Sequence, residues 1–466
     1  MTKDAGFAVR TRQVARESMP WLRGWRATLF LAAVAVAGAS APAGAATFTV
    51  TNLNSDDVGG PGSLYQTVGD ALAAGGDNTI VFAAGLNGTI GSAGLDGVPG
   101  PDIPDGNALT IDGDNRIALH GGNFVGFGVD PDASLTLKNL TVTHALGAIF
   151  NLGTVTLIHT TVSDNNPSTK SESGTPVGAA IDNEQGGTAT VIDSTFSGNW
   201  AYSGGAIYNG PLSTLSVVDS TCTGNSATGT GFALWDGDGG GAIFNYEGIV
   251  TISNSTFSDN TAIPDPGSQV GNAGVGGAIY NFGAVDPGAV MTISNSTFSG
   301  NTADFYGGAI YNENTSGTTT VINSTINGNT DNYFLPNGGG IANRVGTFNL
   351  SNSLVANNVQ NDCYGVVNDG GHNLVEDGSC VTVGSNGNIS GDPMLGPLAD
   401  NGGPTQTHAL LAGSPALDAG DNAICAADPV NNLDQRGLAR PQGAVCDIGA
   451  FEQEKSIFAD GFEAQP

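Results

Sequence analysis

The sequence predicts an all-β protein: a single-stranded, right-handed parallel β-helix with a short capping helix near its N-terminus. Three observations predict it. Two short phrases alternate through the middle of the chain. Gly-Gly-Ala-Ile-Tyr-Asn at 204–209 returns at 240–245, 276–281 and 307–312, with looser copies ending at Asn151, Asn183 and Asn343. Ser-Thr-Phe-Ser-Gly-Asn at 194–199 returns at 220–225, 255–260, 296–301 and 324–329, with weaker copies ending at Asn165 and Asn358. Equivalent asparagines lie about 26 to 41 residues apart, which is the period of a stacked-repeat architecture.

The second observation is that aligned copies give apolar columns. One holds Ile149, Ile181, Ile207, Ile243, Ile279, Ile310 and Ile341; another holds Val162, Phe196, Cys222, Phe257, Phe298, Ile326 and Val355. Two more, Leu157 to Leu350 and Val155 to Phe348, sit two residues apart with Thr, Ser or Asn between them, which is strand periodicity. The third observation is an odd offset. Ile252 and Phe257 are five apart yet both belong to apolar columns, so the chain must bend near Asn254. Each repeat then supplies three short strands. Coils stack at about 4.8 Å, so like residues lie over like. Paired glycines suit a tight corner, and stacked asparagine amides suit coil-to-coil hydrogen bonds. These asparagines are scaffold in this reading, not ligands.

Composition agrees. The 466 residues include 72 Gly, only 12% are charged, and the formal charge is −30. Regular apolar columns separate the chain from disordered glycine-rich sequences. Beyond the leader the basic residues are Arg116, Lys138, Lys170, Arg344, Arg436, Arg440 and Lys455. No cluster neutralises phosphates, which excludes nucleic acid as a partner. A polyanionic polysaccharide would be repelled unless divalent cations such as Ca²⁺ intervened.

Taken in order, residues 1–45 read as an export signal. Arg10, Arg12, Arg16, Arg23 and Arg26 precede an apolar run from Ala27 to about Ala39, and Ala43-Gly44-Ala45 offers a cleavage site. The run is shorter than the ~20 residues a membrane span needs, and nothing later reads as a transmembrane helix. Residues 46–145 form the N-terminal cap and first irregular coils. Thr47 to Thr51 alternates as a strand. Ser63 caps an amphipathic helix whose Leu64, Val68, Ala71 and Leu72 share one face, placed to cover the open first coil. Strands follow at 79–82, 108–111, 117–119 and 135–137. Residues 146–360 are the regular coils, with insertions at 166–177, 228–239, 261–275 and 284–289. Insertions at one corner project from one side, where binding or catalysis would sit. Residues 361–454 are C-terminal coils and a cap module, and 455–466 a tail.

The phrases Gly-Gly-Ala-Ile and Phe-x-x-Asn resemble the repeats of polymorphic outer-membrane proteins and of bacterial right-handed parallel β-helix repeat proteins, over roughly 145–360. The fold this implies is a pectin-lyase-like solenoid, and the role a secreted, surface-displayed passenger. Ser63-Leu-Tyr-Gln66 resembles the family's N-terminal motif, with Tyr65 where arginine is usual. Gly391-Asp-Pro-Met-Leu-Gly-Pro-Leu398, Asn401-Gly-Gly-Pro-Thr405, Gly413 to Gly420, Asp434-Gln-Arg-Gly437 and Asp447 to Glu452 resemble the C-terminal module described as a choice-of-anchor domain. Arg436 and Arg440 are expected to pair with Asp447 or Glu452. The tail from Ile457 to Glu463 resembles short terminal tags of exported Gram-negative proteins. Too few residues follow 391 for a translocator barrel.

The cysteines and carboxylates supply the remaining expectations. Cys222 falls in an inward column and reads as a buried free thiol. The other four pair most simply as Cys363–Cys380 and Cys425–Cys446. Five scattered histidines and no Cys-x-x-Cys argue against zinc. Uronate lyases and galacturonases on this fold need calcium carboxylates with a basic residue, or clustered aspartates, and neither motif is present. Asp236 and Asp238, with Asp265 and Asp259 about one coil away, form the best acidic cluster: a solvated loop, a Ca²⁺ site or a catalytic pair. Trp200, Tyr202 and Trp235 either stack on sugar rings or pack against an insertion. The outward Tyr208, Phe244, Tyr280 and Tyr311 read as a cross-coil aromatic row. The residues themselves supply the fold and the export; the resemblance implies a surface role in binding or adhesion, with a glycan or protein as ligand, outer-membrane association and no cofactor beyond Ca²⁺. The alternative is a polysaccharide lyase or glycoside hydrolase near the insertions at 228–239 and 261–275.

Overall fold

A computed structural model describes residues 44–54, 60–91, 101–122, 126–167, 177–229, 239–264, 274–335 and 337–454. One coil shows how the sequence makes a turn of the β-helix. Ile243–Tyr246 lies on a first ladder, Ile249–Ser253 on a second, Thr256–Ser258 on a third and Thr261–Pro264 on a fourth. Each strand pairs in parallel with its counterpart one coil on. Ile243 meets Ile279, Val250 meets Met291, Ile252 meets Ile293, Phe257 meets Phe298 and Ala262 meets Ala303. The isoleucine column continues from Ile149 through Ile341 to Cys363 in unbroken register.

The bend expected near Asn254 is a left-handed residue repeated in every regular coil. His159, Asp193, Asp219, Asn254, Asn295, Asn323 and Asn352 have φ between 45° and 52°. One such residue reverses the inward–outward alternation, so Ile252 and Phe257 both face the core. Short polar side chains tolerate this conformation best, which explains the Asp/Asn preference.

The fourth ladder is absent from the three-strand expectation. Trp200–Ala201, Ser226–Gly229, Thr261–Pro264, Thr302–Ala303 and Thr330–Asp331 form a separate five-stranded sheet. Strands of two to four residues are too short to display alternation. The only trace is Asn-x-Ala, at Asn199, Asn225, Asn260 and Asn301, with each alanine buried. The glycine pair is pressed against this ladder. Gly240 has φ 69°, whereas a Cβ on Gly241 would lie 2.1 Å from Gly277 O and 2.6 Å from Thr261 N. The first glycine answers to torsion and the second to close approach.

Polar ladders run inside the coils. From Asn151 through Asn183, Asn209, Asn245, Asn281 and Asn312 each Nδ2 donates to the Oδ1 of the next asparagine at 2.7–3.0 Å, ending at Asn343. A second ladder from Asn165 to Asn358 does the same at 2.9 Å and ends on Asp362. Thr319 fits an apolar column because its hydroxyl donates to Asn312 Oδ1 and accepts from Asn281. These buried amides are satisfied by one another and by backbone groups of adjacent coils, so removing one orphans its neighbours. Asn260→Ala strips an acceptor from Asn225 N and Nδ2 and a donor from the Cys222 carbonyl. We expect it to lower stability by about 3 kcal/mol in urea denaturation, whereas exposed Asn332→Ala should be near neutral.

The N-terminal end of the stack is covered by a helix. Helix α1, Leu64–Ala74, is capped by Ser63, whose Oγ accepts from Gln66 N at 3.2 Å. It buries Val68 and Ala71, with Leu64 and Leu72 packed at the edge of the core, as the sequence implies. Residues 361–390 continue the ladders through Cys363–Gly365 and Leu374–Val375.

The following module turns back along the third ladder's outer flank. Gln435 donates to Thr256 Oγ1 at 2.9 Å and accepts from Thr297 Oγ1 at 2.6 Å. Thr405 Oγ1 donates to Asn254 O, Ala450 N donates to Thr325 Oγ1, and Gly449 N donates to Asn352 O. Disulfides join Cys363 to Cys380 and Cys425 to Cys446, the simplest pairing, and Cys222 is free and buried. The arginines depart from expectation in one case. Arg440 is wholly buried and approaches Glu452 at 4.0 Å. Arg436 instead binds Asp434 at 2.8 Å, because its guanidinium lies 3.8 Å over the Phe451 ring and faces that carboxylate.

Candidate functional site

The coil interior is filled by aliphatic, aromatic and amide columns, so recognition chemistry must face outward. The burial of Cys222 makes the point: it pushes the thiol pKa up to about 12, so it is no nucleophile. Outward chemistry concentrates on the first ladder. In-register strands place Tyr208, Phe244, Tyr280 and Tyr311 one above another. Phe244 stacks on Tyr280 at 4.8 Å and 11°, and Tyr280 meets Tyr311 at 5.1 Å. Two residues on, Tyr246 stacks on Phe282 at 5.3 Å. The expected aromatic row is present and forms its own apolar cluster outside the coil.

At its C-terminal end the row becomes polar. The register puts Glu313 beside Phe282, with Arg344 on the next coil. Tyr280 and Tyr311 donate their hydroxyls to Glu313 Oε2 at 3.2 and 3.1 Å, and Arg344 pairs with Oε1 at 2.8 Å. Burial and the Glu313 charge drive both phenol pKa values upward, so these rings are neutral donors.

Around the corner, Tyr306 stacks on Tyr311 at 5.5 Å and lies 6.1 Å from Tyr364. Phe305 packs on Tyr333, and Tyr333 on Phe334 at 4.4 Å. Tyr364 is 42% and Phe334 75% exposed. Asp331, buried where other coils carry alanine, accepts from Tyr333 N at 2.9 Å through Oδ1. Its Oδ2 has no partner among the described residues. Burial, with the nearby Asp304 charge, raises its pKa to about 7.

That shift has a definite sign. Between the ordinary carboxylate range and pH 7 the folded chain holds a proton that the unfolded chain releases, so stability falls as pH rises through this window. Asp331→Asn should raise stability by about 2 kcal/mol at pH 8, with the gap closing as pH falls towards 4. Thermal melts of both proteins at several pH values measure it.

A second acidic feature escaped the sequence reading. Asp182 sits in the outward row between Phe150 and Tyr208, with Glu184 two residues on. Burial raises both pKa values, the Glu184 charge adds to that of Asp182, and Asp182 Oδ1 has no partner among the described residues. Its visible signal was the Asp in an otherwise aromatic column. Of the residues singled out by sequence, Asp236, Asp238, Asp265 and Trp235 lie outside the described residues, as does most of the leader. Asp259 occupies a left-handed corner. Among the described residues no three His, Cys, Asp or Glu are grouped to hold a metal ion. Trp200 donates Nε1 to Thr228 Oγ1 at 2.9 Å and packs on Tyr202, which is buried. That pair is packing, not an open platform.

Comparison with known families agrees with the coil geometry. The Chlamydia polymorphic membrane protein repeat matches residues 193–210, 254–281 and 295–313. These segments carry the glycine corner, the third-ladder strand and the asparagine ladders. No curated protein matches the chain. The matched segments lie on in-register coils of one parallel sheet, so the chain is a parallel β-helix carrying repeats similar to those of the polymorphic membrane proteins.

Proposed function

We propose that the protein is exported and displayed at the outer membrane or cell surface, where its β-helix serves as a binding or adhesion scaffold. The observation that carries this reading is the division of labour across the coil wall. Inward positions are consumed by scaffold, while outside the coil wall lies a second aromatic cluster, buried at Phe244, Tyr280 and Tyr311, half-buried at Tyr208, Tyr246 and Phe282, with the Glu313–Arg344 pair at its end. The repeat family supports the surface role, and the arginine-rich start with its apolar run supports export. Among the described residues no helix is long and apolar enough to cross a membrane, which leaves β-barrels aside. Fractionating producing cells into outer membrane, periplasm and medium, with protease treatment of intact cells, tests the reading. Surface or medium location is expected; retention in the cytoplasm overturns it.

A second reading is a polysaccharide lyase or glycoside hydrolase, either near the insertions at 228–239 and 261–275 or at the protonation-prone Asp182–Glu184 pair. Assays of the mature protein on uronate and neutral glycans, with and without Ca²⁺, decide it. Turnover abolished by Asp236→Asn, Asp238→Asn or Asp182→Asn would replace binding with catalysis. Ca²⁺ dependence that is lost in Asp236→Asn, Asp238→Asn or Asp265→Asn would assign the metal to those carboxylates.

A further inference from the structure

We propose that the outer corner formed by Tyr306, Tyr333, Phe334, Arg344 and Tyr364, with the buried Asp331 carboxyl beside it, binds uncharged pyranose units of a glycan. The proposal rests on the binding role argued above and names its ligand class. Three independent observations converge on it.

The first is the rings. Tyr364 and Phe334 present 42% and 75% of their surface to solvent, on two coils, next to the half-buried Tyr306 and Tyr333. A pyranose ring has an apolar C–H face that packs on an aromatic ring, while its hydroxyl edge needs hydrogen bonds.

The second is the polar set around the rings. Arg344 and the tyrosine hydroxyls donate, Glu313 accepts, and the unmatched Asp331 carboxyl oxygen donates when protonated and accepts when ionised. A sugar hydroxyl both donates and accepts, so it can use each member of the set. Asp331 is the telling member. It is fully buried, one carboxyl oxygen is unmatched among the described residues, and it replaces an alanine found at this position in the neighbouring coil. An unsatisfied buried carboxyl oxygen costs stability that a scaffold gains nothing from retaining, whereas a ligand hydroxyl, which both donates and accepts, would satisfy it in either protonation state.

The third is charge. The chain carries a formal −30, and the corner's one cation is already paired with Glu313. Polyanionic glycans are disfavoured and neutral ones are not.

The test is affinity electrophoresis of the mature protein in gels containing neutral glucans, mannans, galactans or xylans, with polygalacturonate as the anionic arm. Tyr364→Ala, Phe334→Ala and Asp331→Asn are run alongside. Both ring substitutions are at exposed positions and should leave the melting temperature unchanged, which circular dichroism checks. At least one neutral polysaccharide should retard the wild type and polygalacturonate should not. Each variant should weaken retardation tenfold or more. The proposal falls if no neutral polysaccharide retards the protein, if Tyr364→Ala and Phe334→Ala bind as wild type, or if polygalacturonate alone binds. It also falls if both ring variants abolish a concentration-dependent dimer in sedimentation without changing glycan binding, because the corner would then receive a second copy. None of these outcomes depends on cell fractionation, so the site and the surface role fail separately.

Discussion

Ile279→Asp is expected to unfold the central coils, lowering stability by more than about 4 kcal/mol. Ile279 is fully buried, with Ile243 above and Ile310 below in the same column. Its surroundings are aliphatic and aromatic columns, so an introduced carboxylate finds no counter-charge and must either stay ionised without water or take up a proton. In a coil stack stability is close to a sum of nearest-neighbour interfaces, and this one residue sits on two of them. Ile279→Val, which removes one methylene, should cost only about 1 kcal/mol. Urea denaturation followed by circular dichroism compares the two. A midpoint unchanged in Ile279→Asp would show that the column does not lie inside the coil.

Arg440→Ala is expected to detach the C-terminal module at a cost of about 3–5 kcal/mol. The guanidinium is fully buried and donates to Gly449 O and Ala450 O at 3.1 Å, with Glu452 at 4.0 Å. Burial depresses its pKa, and Glu452, Asp434 and Asp447 hold its charge in place. Without it, Glu452 and Asp447 remain buried with no compensating cation, and two carbonyls lose their donor. The same segment carries Gly449 N and Ala450 N to Asn352 and Thr325 on the β-helix, so the loss spreads to the docking surface. Limited proteolysis should cut Arg440→Ala within 391–454 under conditions that spare the wild type. Arg440→Met, which keeps most of the volume but not the charge, should be cut as well. Resistance in both would mean that packing alone holds the module.

The sequence by itself determined the coil. In a parallel β-helix each inward side chain touches its own counterparts one repeat away, so register is written as a column and can be read by aligning the chain with itself. Ile207, Ile243 and Ile279, the two asparagine ladders, the bend at Asn254 and the helix capped by Ser63 were legible for that reason. Beyond the aromatic row, the tertiary structure decided what lies outside the coil. Gln435 reaches Thr256 and Thr297 across 179 and 138 residues, a contact no repeat period encodes. Arg344 and Tyr364 lie on first-ladder strands of successive coils, Asp331 on the fourth ladder and Tyr306 at the corner between them. They meet only because the fourth ladder, too short to show alternation, turns the chain at that corner. Outward positions also stack in register, as Phe244 on Tyr280 shows, but away from that row solvent and the folded-back module select them, and the repeat period does not encode those neighbours.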